Sequence, residues 1–179
     1  MVEVTIDSIR VSLTTQHRVV ILKDTHSERY LPIWIGQFEA EAITVELQEI
    51  PPQRPFTHDL IKSVIRELGG KVVHILINEL RNDVFYAKLV VELDGRQIEI
   101  DSRPSDAIAV AIRTKSPIFV GDSVMARAGI EMEEDVEQQI ASETNKRHQG
   151  ADVDDRKLSA FADFVNSLDL DDLDTDDDN

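Results

Sequence analysis

The 179-residue chain contains no cysteine. Disulfides, thiolate zinc sites and cysteine nucleophiles are thereby excluded. No apolar run approaches the length of a membrane span, and Met1–Asp7 lacks the basic start and long apolar core of an export signal. A cytoplasmic protein without a membrane partner is expected. A glycine-rich phosphate loop, a zinc-ligand spacing and a Ser-His-Asp constellation in recognisable context are also missing, so nucleotide-triphosphatase and esterase chemistry find no support. Positive charge is scarce: 19 Lys and Arg stand against 35 Asp and Glu, a formal net charge of −16.

The deficit is regional. Residues 1–130 hold 15 basic and 18 acidic residues, whereas 131–179 hold 4 and 17. The body is therefore close to neutral and can still present a positive face to nucleic acid, which the whole-chain charge would argue against. The division predicts a domain over 1–130 and an acidic appendage over 131–179. Within the appendage, Leu158, Phe161, Val165 and Leu168 make one amphipathic stripe, a helix suited to a protein partner, and the aspartate-rich end is expected to be disordered. Such a tail can mimic nucleic acid and occupy the body's own binding surface, or serve solubility or salt adaptation.

In the body, Val2–Ile6 and Ile9–Leu13 alternate as half-buried strands, either one bent strand or two short ones. Two hairpins are predicted: Arg18–Leu22 with Tyr30–Ile35, and Val84–Leu93 with Gln97–Ile100 around Asp94-Gly95. Each leads into a helix, Gly36–Glu49 and the stretch from Pro104 onward. A shift of 65 residues lays the two helix regions on each other, with Glu41 on Asp106. The unit is a hairpin followed by a helix, used twice. Another helix follows Thr57, the expected N-cap, with Phe56 and Ile61 as a hydrophobic staple and Gly69-Gly70 closing it. Its expected core face is Ile61, Val64, Ile65 and Leu68, with His58, Asp59, Lys62 and Arg66 on the polar side. Lys71–Leu80 and Pro117–Val120 read as strands, with His74 on an exposed strand face; Trp34 reads as core or interface packing. The fold class is α+β, a mixed and mainly antiparallel sheet packed with helices.

The most informative stretch is Asp101–Ala111, where three charges and Pro104 stand at a strand-to-helix junction. Such a junction offers backbone N–H groups and a positive dipole end to a phosphate or an acidic side chain. The same physics also allows a purely structural role, with Asp106 as dipole partner and Arg103 as its ion-pair mate.

Three blocks, Leu31–Gly36 with Glu39–Ile43, Arg54–Leu60, and Asp101–Ala111, resemble the bifunctional nuclease domain family in order and spacing over residues 1–130. The resemblance implies a compact α+β domain that degrades DNA and RNA and tends to self-associate into a homo-oligomer. A helical module that some relatives carry after this domain has no clear copy here. Phosphodiester cleavage needs an activated water, neutralised phosphorane charge and help for the leaving oxygen. The candidates for that chemistry are Asp101, Arg103, Asp106, Glu41 and His58. Asp101, Asp106 and Glu39 would suit Mg²⁺ or Mn²⁺ as oxygen ligands. Arg103 and Arg54 offer paired donors to phosphate, Lys62 and Arg66 further positive charge, and His58 an imidazole suited to proton transfer. A non-catalytic regulatory domain that binds an anion or a partner is the alternative reading.

Overall fold

The computed structural model of the chain describes residues 1–11 and 17–131; the acidic appendage, with the helix expected over Leu158–Leu168, lies outside the described residues. The elements run β1 (Val2–Val11), β2 (Arg18–Asp24), β3 (Tyr30–Ile35), α1 (Gln37–Leu47), α2 (Thr57–Glu67), β4 (Lys71–Arg81), β5 (Val84–Leu93), β6 (Arg96–Ser102), α3 (Pro104–Thr114), β7 (Ile118–Val120) and α4 (Asp122–Ala128). The fold is α+β, as expected. The N-terminal region is one strand with a register shift between Ile6 and Ser8. Helix α4 has no counterpart in the sequence reading.

The strands form one sheet in the order β3-β2-β1-β7-β4-β5-β6. All neighbours are antiparallel except β4 with β7. The order exposes the duplication: β1-β2-β3 followed by α1 mirrors β4-β5-β6 followed by α3, with β7 between the halves. Because β7 is antiparallel to β1 and parallel to β4, the two halves run in opposite senses, as a pseudo-twofold axis requires.

The structural repeat differs from the sequence match by two residues. Ile35 and Ser102, Gln37 and Pro104, and Leu47 and Thr114 are each 67 apart. The shift of 65 follows similar letters, whereas equivalent backbone positions bury Ala40 with Ala107 and Ile43 with Val110. The third residues of the two helices are therefore Glu39 and Asp106. Glu39, not Glu41, is the acid equivalent to Asp106.

The core lies between the sheet and its helices. Val20, Leu22, Ile75 and Ile77 point there from the strands, Ile43 and Ile108 from α1 and α3, and all are almost completely buried. Alternation along β4 turns His74 the other way, but it is half-buried, its ring edge-on to Phe119 at 5.5 Å. Trp34 packs against Val19, Ile21 and Tyr30, in keeping with a packing role. The β5–β6 turn takes positive φ at both Asp94 (51°) and Gly95 (74°), which is the type I′ geometry that Asp-Gly favours. No helix among the described residues is long and apolar enough to cross a membrane.

Helix α2 corrects the sequence reading in two respects. Its N-cap is Phe56 rather than Thr57, and the Asp59 carboxylate accepts the Phe56 backbone N–H at 2.8 Å. Ile61 and Ile65 do pack on the core, yet Val64 and Leu68 are exposed while His58 is buried. The helix is rotated because His58, Asp59 and Lys62 of its first two turns dock on Asp106 and Arg113 of α3. Gly69, at φ 80°, closes the far end as predicted, with Gly70 N–H donating to the Ile65 carbonyl.

Candidate active site

A cavity of about 370 Å³ opens where the first turns of α1, α2 and α3 meet; Glu39, Glu41, Phe56, His58, Arg103 and Asp106 are among its lining residues. Each comes from a helix start because the two hairpins deliver their following helices side by side, and the loop after α1 brings α2 across them. Pro104 is the first helical residue of α3, with Arg103 at its extended N-cap.

Asp106 is the centre of the network. Its Oδ2 accepts from Arg103 Nε at 2.6 Å, and its Oδ1 accepts from Arg103 Nη2 at 3.1 Å, a bidentate pair. The same Oδ1 lies 3.2 Å from His58 Nε2. Arg103 Nη2 also meets Glu39 Oε1 at 2.7 Å, so the equivalent acids of the two repeats share one guanidinium. Gly36 makes room for this, because the Glu39 carboxylate occupies the space a Cβ at position 36 would fill. Burial alone would raise the Asp106 pKa, but the hydrogen bonds from Arg103 and His58 outweigh it and hold the carboxyl below its ordinary value. The hydrogen bond to Asp106, reinforced by Glu39, raises Arg103 in turn. An ionised Asp106 can only accept here, so the ring donates through Nε2–H, and Nδ1 is the nitrogen left to offer a lone pair. Arg103 Nη1 is taken up by neither carboxylate, and the side chain is 66% exposed.

Of the residues predicted from sequence, the structure brings together Asp106, Arg103, His58 and Glu39, with Glu41 on the cleft wall. Asp101 is exposed on β6 and does not line the cleft. Lys62 donates to the Arg113 carbonyl at 2.7 Å, Arg66 pairs with Glu67, and Arg54 is exposed in the loop before α2. Among the described residues no three His, Asp or Glu side chains are grouped to hold a metal ion. Arg103 lies between Asp106 and Glu39, where it supplies the positive charge itself. As arranged, these carboxylates do not make a Mg²⁺ or Mn²⁺ site.

Sequence reading missed Arg113. Its guanidinium is buried and touches all three helices: Nε donates to Asp59 Oδ1 at 2.8 Å, Nη1 to the Ala109 carbonyl and Nη2 to the Ala42 carbonyl, each at 2.9 Å. By fixing Asp59 it fixes the turn that carries His58. A signal did exist, since an arginine directly after the apolar run Ala107–Ile112 requires an acid to accompany it inward.

A family model for the bifunctional nuclease domain matches residues 20–133. An uncharacterized protein of Mycobacterium tuberculosis is 36% identical over 173 residues, 97% of this chain and 98% of its own length. Bifunctional nuclease 1 of Oryza sativa subsp. indica is 27% identical over 128 residues, 69% of this chain and 39% of the plant protein. Bifunctional nuclease 2 of Oryza sativa subsp. japonica is 29% identical over 130 residues, with 71% and 40% covered. On the extent of the family match and of the mycobacterial likeness, this chain belongs to the bifunctional nuclease domain family.

Proposed function

We propose that the chain is a nuclease that hydrolyses phosphodiester bonds in DNA and RNA at the α1–α2–α3 cleft, with low sequence preference and in the cytoplasm. The single observation that carries the reading is the convergence of His58, Asp106, Arg103 and Glu39 from three helix starts on one open cavity. His58 Nδ1 takes the proton of the attacking water, or of the ribose 2′-hydroxyl in RNA, while Asp106 holds the ring and stabilises the charge it gains; as the new P–O bond forms, the P–O bond to the leaving oxygen breaks and that oxygen takes a proton from solvent water. Arg103, held by Asp106 and Glu39, offers Nη1 to a phosphate oxygen as charge builds there. Glu41 is the remaining acid on the wall.

Charge favours a second reading, a non-catalytic partner-binding domain, because three carboxylates face one guanidinium in the cleft. One experiment separates the two. Purified protein is incubated with labelled single-stranded DNA and RNA in EDTA, Mg²⁺ or Mn²⁺, beside Asp106→Asn and Arg103→Ala. Each substitution is expected to lower cleavage at least about tenfold with the melting transition within a few degrees of wild type. Equal residual cleavage in all three proteins would reject the nuclease reading, and the EDTA arm decides whether Mg²⁺ or Mn²⁺ is needed.

The homo-oligomer expectation finds support on another face. Leu60, Val64 and Leu68 form an outward stripe on α2, exposed by 58%, 46% and 70%, and the edge strand β6 adds exposed Ile98 and Ile100. A second copy of the chain is the proposed partner for this surface.

A further inference from the structure

The active-site cavity carries two aromatic side chains that the hydrolytic chemistry does not use. Phe38, the second residue of α1, is 80% exposed, and Phe56, the N-cap of α2, is 43% exposed. Both line the same cavity as Arg103, His58 and Asp106. They come from the starts of two different helices. Glu41, an exposed carboxylate without an ion pair among the described residues, lines the same cavity.

We propose that Phe38 and Phe56 form a stacking platform for one unpaired nucleobase, so that the cleft takes single-stranded nucleic acid and discriminates against duplex. The inference rests on the nuclease reading above and names its substrate class. In a duplex both faces of an internal base are covered by its neighbours, and an exposed phenyl ring has no π-face to meet. An unpaired base presents that face, and stacking on an aromatic ring tolerates any base. This agrees with the lack of sequence preference. The same geometry gives the acidic wall a use. A carboxylate repels phosphate but accepts hydrogen bonds from the exocyclic amino groups of adenine, cytosine and guanine, so Glu41 suits the base while Arg103 suits the phosphate. A cavity of about 370 Å³ is of the size that holds a single small ligand rather than a helix.

The test measures binding apart from cleavage. Fluorescence anisotropy of a labelled 12-nucleotide single strand, its blunt duplex and an abasic version of the strand is followed on full-length protein carrying His58→Asn to slow turnover. Cleavage by His58-containing protein is assayed in parallel. Phe38→Ala and Phe56→Ala are each expected to weaken single-strand binding by about fivefold or more. Duplex and abasic binding should hardly change, and Phe38→Trp should restore the single-strand affinity. Single-strand binding that depends on Phe38 and Phe56, in protein that never cleaves, would uphold the platform and reject the nuclease reading. Cleavage that is normal in both phenylalanine variants, with unchanged single-strand affinity, would reject the platform and leave the nuclease reading standing. Loss of oligomer mass in Phe38→Ala without loss of affinity would assign the ring to a subunit contact and overturn the proposal, as would equal affinity of wild type for strand and duplex.

Discussion

Arg113 is the residue on which the cleft depends without lining it. A buried guanidinium costs several kcal/mol to dehydrate, and it is held here by the Asp59 carboxylate, with that of Glu46 3.9 Å away, and by the backbone carbonyls of Ala109 and Ala42. Replacing it by methionine keeps much of the volume but leaves Asp59 half-buried without a cation. We predict that Arg113→Met lowers unfolding stability by about 3 kcal/mol, read from the urea midpoint at constant slope. Arg113→Lys should recover part of it, because lysine can restore one charge contact and not the three-way fork. A midpoint shift under about 0.5 kcal/mol would mean that the site is organised by apolar packing instead. Periodicity did not reveal this residue's partner. Counting apolar positions assumes that a helix turns its greasiest side inward, and on α2 that rule selects Val64 and Leu68. The rule fails where a neighbouring helix presents a buried cation, since satisfying that charge outweighs the burial of one or two side chains.

At the scale of elements, legibility followed the locality of the signal. Asp94-Gly95 announces its hairpin because both residues accept positive φ, and Pro104 announces α3 because the ring suits a first helical turn. Helix α4 spans only seven residues, too few for a helical period to stand out. The rotation of α2 has a consequence that can be measured. Among the described residues nothing covers its Leu60, Val64 and Leu68 stripe or pairs with the outer edge of β6, and covering them with a second copy removes apolar area and an open strand edge together. Wild-type protein is expected to run as an oligomer in light-scattering chromatography. Val64→Lys with Leu68→Lys should shift it to monomer while the melting transition moves little, since neither side chain is buried. Ile65→Lys, one residue along the helix, should instead unfold the domain, because Ile65 packs on the core. An unchanged mass for the double variant would place the subunit contact elsewhere.

At the scale of the whole molecule, the repeat was readable while its docking was not. Similar letters in two hairpin-helix units establish that a motif is used twice, but the pairing that joins the halves runs through β7, which is three residues long, follows the second unit directly and has no counterpart after the first. That insertion brings Glu39 and Asp106 to one arginine, which no local pattern encodes. Charge is likewise a property of the whole chain. Residues 151–179 contain 2 basic and 11 acidic residues, so their removal takes the formal net charge from −16 to −7. A polyanionic segment tethered to a nucleic-acid-binding body competes with the substrate at a high local concentration, and the competition fades once salt screens it. Removing 151–179 should therefore tighten binding of a single-stranded oligonucleotide several-fold at 20 mM salt and hardly at all at 300 mM. It should also steepen the dependence of log affinity on log salt, because in the full chain the tail's release offsets part of what added salt takes away. The measurement is anisotropy across a salt series on full-length and shortened protein. Parallel salt curves for the two would show that the segment does not act on the binding surface and would leave its charge to solubility alone.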